Sequence, residues 1–162
     1  MKTIVQTLIC ATVLMLPYYG FSQSGYTQAT DMDVNGIFIG GAYTKTQVEV
    51  KWGAPTTYRS NTSEFGVNEE YVYIHNQLDN LFRFSDNGRF VSFFIKTSNF
   101  AVYTAFNGGI KVGDNISRIQ AIGLGTPVLQ SDGSYGLPCG DDQFIFKHSN
   151  GIITEISFVS PI

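Results

Sequence analysis

Two stretches of this chain carry the same punctuation. IGGAYTKTQVEVKWGAP (39–55) and GGIKVGDNISRIQAIGLGTP (108–127) each open on a glycine turn, run through a short amphipathic segment and close on Gly-x-Pro. The closing glycines Gly53 and Gly125, and the prolines Pro55 and Pro127, lie 72 residues apart. The stretches that follow also correspond. DNLFRFSDNGRFVSFFI (79–95) is matched by DDQFIFKHSNGIITEISFV (141–159), with Phe82 and Phe84 against Phe144 and Phe146 at an offset of 62 and Gly88 against Gly151 at 63. The same landmarks in the same order imply a tandem duplication. Neither half has enough apolar surface to fold alone, so the two are expected to share a core.

Local chemistry assigns elements within each half. Thr44 offers a hydroxyl to the free amides of a first helical turn, and Gln47 completes a capping box three residues on. Val48 and Trp52 fall on one helical face, Gly53 stops the run and Pro55 forbids its return. The spacing therefore predicts a two-turn helix over Lys45–Trp52, too short to stand without packing, with Trp52 in the core. Asn115–Ile122 is its expected counterpart. EYVYIH (70–75) alternates with period two, so Val72 and Ile74 face one way and Tyr71, Tyr73 and His75 the other. LFRF (81–84), the turn SDNG and RFVSFFIK (89–96) read as a hairpin, Asn87-Gly88 being a strong turn signal. Its return strand is apolar on both sides, with Val91, Phe93 and Ile95 against Phe90 and Phe94. The fold class expected from these elements is α+β: two tandem helix-plus-antiparallel-meander repeats (36–98 and 108–160) sharing one sheet, with the helices packed on one face. Residues 36–162 form the single domain, and the polar, patternless 23–35 reads as a flexible lead-in.

The N-terminus reads as a secretory signal peptide spanning 1–22. Met1-Lys2 supplies the positive start, Ile4–Leu16 is apolar but too short to span a bilayer, and Gly20-Phe21-Ser22 resembles a cleavage site. Cys10 lies inside the apolar run and is expected to leave with it, so Cys139 remains as the single cysteine and no internal disulfide forms. The expected mature chain is soluble, periplasmic or extracellular, with no transmembrane segment. Lys2 removed, nine Lys+Arg stand against thirteen Asp+Glu with no basic cluster, which excludes the positive footprint of a nucleic-acid binder. Aromatic residues make up 14% of the chain and charged residues only 14%, against the usual quarter for charges.

Catalytic and metal signals are weak. His75 ends a strand and His148 sits in the turn KHSNG, neither with a second ligand at metal spacing. Asp141-Asp142 precedes a hairpin strand, as Asp79 does in the first copy, and Asp114 reads as a turn acid. GLGTP (123–127) lacks the lysine and serine of a phosphate loop. No cofactor, metal or catalytic residue is expected, and the chain is read as a non-enzyme.

Gly41-x-x-Thr44-x-x-Gln47-Val48 followed by Gly53-x-Pro55 resembles a repeat in two small exported groups. These are the SmpA/OmlA (BamE-like) outer-membrane assembly lipoproteins and the β-lactamase inhibitor protein group. GGIKVGDNIS (108–117) resembles uncharacterised exported proteins of Bacteroidetes. The resemblance implies a two-repeat fold whose concave sheet binds protein, and it names no target. The chain lacks the lipid-bearing cysteine of the first group and the disulfides of the second.

The expected function is therefore binding of a protein or cell-envelope partner through an aromatic sheet face. Tyr71, Tyr73, His75, Arg83, Phe90 and Phe94 are the expected contact set, since Tyr and Arg give large contact area with a polar handle. The alternatives are an envelope assembly or structural component of BamE-like type, and a hydrolase with a dispersed site.

Overall fold

The computed structural model describes residues 31–63, 66–104, 107–121, 126–139 and 142–159. The signal-peptide reading and Asp141 fall outside them. In chain order the elements are β1 (Met32–Val34), β2 (Ile37–Phe38), α1 (Lys45–Trp52), β3 (Thr57–Ser63), β4 (Gly66–His75), β5 (Leu78–Phe84) and β6 (Phe90–Ile95). They continue with β7 (Ala101–Thr104), β8 (Asn107–Lys111), α2 (Arg118–Ala121), β9 (Val128–Leu129), β10 (Tyr135–Cys139), β11 (Asp142–Ser149) and β12 (Ile152–Val159). All strand pairs are antiparallel. Eight strands form one sheet in the order β3-β4-β5-β6-β12-β11-β10-β9, and four form a second in the order β2-β1-β7-β8.

This corrects the α+β expectation: the protein is mostly β. The helices of the described residues are eight and four residues long, too little to cover a sheet of eight strands. The covering layer is largely the second sheet. Met32, Val34, Ile37, Val102 and Ile110 point from it into the same core cluster as Phe82, Phe93, Phe144 and Phe158 of the large sheet. The flexible lead-in is likewise corrected at its end, where Met32 and Val34 are fully buried in β1. Asn35 and Gly36, with φ of 44° and 84°, make the tight turn that returns the chain as β2.

α1 forms where its cap and stop place it. Gln47 N–H donates to Thr44 Oγ1 at 3.3 Å and Thr44 N–H donates to Gln47 Oε1 at 2.8 Å, closing the capping box. Trp52 docks the helix, its ring lying 4.5 Å from Phe82 and 5.6 Å from Phe100 between centroids. Its Nε1–H donates to Val34 O at 3.0 Å. The helix is thus tied at once to the large sheet and to β1. α2 begins at Arg118, three residues later than the expected Asn115, and the expected end at Ile122 lies outside the described residues.

The same hydrogen-bond pattern ties each hairpin to the loop ahead of a helix. Gly40 N–H donates to Phe90 O and Phe90 N–H to Gly41 O, at 2.8 and 3.0 Å; Gly113 N–H donates to Ile153 O and Ile153 N–H to Asp114 O, both at 2.9 Å. Gly88 (φ 73°) must stay glycine, because a β-carbon there would collide with Tyr43 O. Each hairpin also carries a bulge. The register jumps between Arg83 and Phe84 of β5 and between Lys147 and His148 of β11, leaving Val91 and Thr154 as extra residues on β6 and β12.

Candidate functional site

The first bulge decides which aromatic rings are available. An uninterrupted β6 would put Phe90 and Phe94 on one face. The extra residue between them turns Phe90 to the core with Phe93 and Ile95, while Phe94 stays on the far side with Arg83 and Leu81. The expected contact set is therefore split. Tyr71 and Phe90 are fully or almost fully buried and Tyr73 is 4% exposed. Tyr71 packs its ring 5.0 Å from Phe84 and donates its hydroxyl to Glu69 Oε2 at 3.1 Å; Tyr73 donates to Gly53 O at 2.9 Å. His75 lies at the end of β4 on the same side, 6.3 Å from the Phe100 ring. These four residues belong to the core side, which corrects the reading of one exposed aromatic face. Arg83 and Phe94 remain, on the opposite face.

That opposite face is the candidate site. Strand register sets Thr57, Val72, Leu81, Phe94, Ser157, Ile145, Gly136 and Val128 in one row that crosses all eight strands. At the usual inter-strand spacing the row runs about 34 Å. Five of its members are apolar side chains, and none of the five belongs to the core cluster. Val72 is 8% exposed, shielded by its neighbours, and Val128 is 56% exposed at the sheet's edge. Near Gly136 the amides of Gln130 and Gln143 occupy the space that a side chain would fill.

Charged residues flank the row. On one side Arg59, Glu70 and Arg83 stand opposite one another on β3, β4 and β5, and Arg83 Nε contacts Glu70 Oε1 at 2.9 Å. On the other, Glu155 receives Lys147 at 2.8 Å and Lys96 at 3.9 Å. The hydrogen bond from Lys147 to Glu155 holds its ammonium above the ordinary lysine range. Arg59 has no ion pair among the described residues. Arg59, Glu70, Val72, Leu81, Arg83 and Phe94 line an open depression of about 460 Å³ together with Asp79 and Lys96. A second, of about 320 Å³, continues from it past Ser92 to Val159.

This face presents apolar side chains and paired charges. Among the described residues no three His, Cys, Asp or Glu side chains gather to hold a metal ion. Cys139 is buried and its thiol is pushed up to about 11 by that burial and by Asp142, so it stays protonated at neutral pH and is a poor nucleophile. His75 and His148 sit on β4 and β11, four strands apart in the sheet order, about 19 Å by strand spacing. His148 leans on Tyr135 at 5.6 Å between ring centroids. No helix of the described residues is long and apolar enough to cross a membrane.

Sequence reasoning found Arg83 and Phe94 but missed the row around them. The alternation that put Val72 and Ile74 on the side away from the tyrosines already marked the right face. What it lacked was the bulge at Val91 and the sheet that covers the tyrosines. No protein-family model, no curated protein and no solved structure matches this chain.

Proposed function

We propose that the chain is an exported, non-enzymatic binding module that docks a protein partner on the open face of its large sheet. The observation that carries this reading is the row of eight residues with charges along both sides. A two-layer fold needs one apolar face per sheet, and this sheet carries a row with five apolar side chains on its other face as well. The pairs join half-exposed cations to carboxylates 14–16% exposed, and pairs near the surface contribute only about 0–1 kcal/mol each. An apolar centre with a charged margin is the anatomy of a protein interface, and a patch of this length suits one of standard size.

Charge indicates the kind of partner. The face carries four cations (Arg59, Arg83, Lys96, Lys147) against three carboxylates (Glu70, Asp79, Glu155), in a chain whose formal net charge is −3. A protein presenting an apolar ridge with surplus acids beside it is the complementary shape and charge. The resemblance of the repeats to exported protein-binding groups supports the same reading, and Met1–Ser22 supports export.

Photo-crosslinking tests it. A photoreactive phenylalanine analogue at position 94, in the cell that makes the protein, is expected to trap a discrete protein. The same analogue at Phe38, on the far side of the molecule, is expected to trap none. Identical adduct patterns from the two positions, or none from position 94, would overturn the reading.

A further inference from the structure

The small sheet also has an outer face, on the side of the molecule away from the proposed docking row. Asp33 stands between Phe38 and Tyr103 across β2, β1 and β7. Tyr103 is 40% exposed. Its ring lies directly over Gly109, where a β-carbon would sit 2.7 Å from the ring's Cε1. Backbone therefore supports one part of the ring, and the residue keeps 40% of its surface exposed.

Beside the ring is a wide, open depression of about 620 Å³, bordered by the Asn35-Gly36 turn, the Ser98-Asn99 segment and the strands that carry Asp33, Tyr103 and Lys111. The wall is fixed in advance. Asn35 Nδ2–H donates to Asn99 O at 3.1 Å, Ala101 N–H donates to Asn35 Oδ1 at 3.0 Å, and Gly36 N–H donates to Asp33 Oδ1 at 2.6 Å. Asn35 spends its amide on the wall itself. The Ser98 hydroxyl, the Asn99 amide, the Lys111 ammonium and the second Asp33 oxygen spend nothing on any described residue.

These free groups define a ligand by what they include and what they cancel. Donors and acceptors are mixed, so the ligand must offer both. Asp33 and Lys111 cancel in charge along the wall, and the Lys51 ammonium lies beside the Gly36 turn, which disfavours a cation and makes an anion the alternative that the test must separate. A polar lining disfavours a hydrocarbon, yet the Tyr103 ring offers a flat apolar surface with a hydroxyl at its tip. A sugar ring has both halves of the complement: a C–H face to lie on tyrosine and hydroxyls that donate and accept. We propose that this hollow binds a neutral saccharide, with Tyr103 as the stacking platform and Ser98, Asn99, Asp33 and Lys111 as its hydrogen-bonding wall. The site is independent of the docking row on the large sheet.

The test is a titration of the purified protein with the neutral disaccharides maltose, cellobiose, mannobiose and chitobiose at millimolar concentration, following backbone amide shifts by NMR. Glycylglycine and sulfate serve as zwitterionic and anionic comparators. At least one disaccharide is expected to shift Asn35, Asn99, Tyr103 and Lys111 saturably. Tyr103→Ala is expected to weaken binding about tenfold, while Tyr103→Phe keeps most of it and Phe94→Asp changes nothing. Asn99→Ala with Lys111→Ala is the second variant should Tyr103→Ala melt early, and it too is expected to weaken binding. Silence from all four sugars, equal response to glycylglycine or sulfate, or undiminished binding by these variants would overturn the proposal.

Discussion

At the scale of single residues, neighbours on β6 have opposite duties. Phe93 is fully buried, 5.9 Å from Phe158 and 6.0 Å from Phe144 between ring centroids, where the two halves of the large sheet meet. Phe94 lies on the open face beside Leu81. Phe93→Ala is expected to cost about 3–5 kcal/mol through the cavity it leaves, and Phe94→Ala about 1 kcal/mol or less. Denaturant unfolding of the two variants measures the contrast, and equal losses would place Phe94 in the core. The sequence sets the two phenylalanines on opposite faces, but RFVSFFIK is apolar on both and periodicity does not say which face is covered. Tyr71 and Tyr73 misled for the same reason. A tyrosine on an alternating strand suits an interface or a core edge, and only its neighbours decide. Here Glu69 and Gly53 receive the two hydroxyls, which makes burial tolerable.

At the scale of elements, what was legible was local. α1 has its cap, its apolar spacing and its Gly-x-Pro stop within twelve residues, and the structure places it at Lys45–Trp52 as read. Thr44→Ala is expected to destabilise the protein by about 1 kcal/mol, read as a lower urea midpoint with an unchanged slope; no change would mean that tertiary packing alone holds the helix. The β5–β6 hairpin was legible through Asn87-Gly88. The β1–β2 hairpin carries the same signal, Asn35-Gly36 between MDV and IF, but the polar residues ahead of it make the stretch read as lead-in. The small sheet as a whole was not legible. Its strands are two to five residues long, and β1 pairs with β7 across nearly seventy residues of sequence, a distance that no local pattern records.

At the scale of the whole molecule, two antiparallel sheets close over one aromatic core, and the groups buried at its edge predict the response to alkali. Burial, then Glu49, pushes the Tyr73 phenol up to about 12 from an ordinary 10.0. Burial and the hydrogen bond to Glu69 push Tyr58 up to about 12, and burial with Asp142 pushes the Cys139 thiol up to about 11 from 9.0. Each folded group holds its proton more tightly than its unfolded counterpart. The stability this gives is complete below about pH 9 and is lost progressively as the pH rises towards 12. The melting temperature is expected to fall across that window, and less steeply in Tyr73→Phe. A flat profile from pH 9 to 12 would contradict the assignment.

The same scale holds the main functional claim, that the large sheet turns one face to its core and keeps the other for a partner. The most direct measurement is the affinity of the partner trapped at position 94 for the wild-type protein and for Leu81→Asp with Phe94→Asp, alongside their melting temperatures. The account predicts that the double variant melts within a few degrees of wild type and loses binding by about a hundredfold or more. Full affinity in a folded double variant would contradict it.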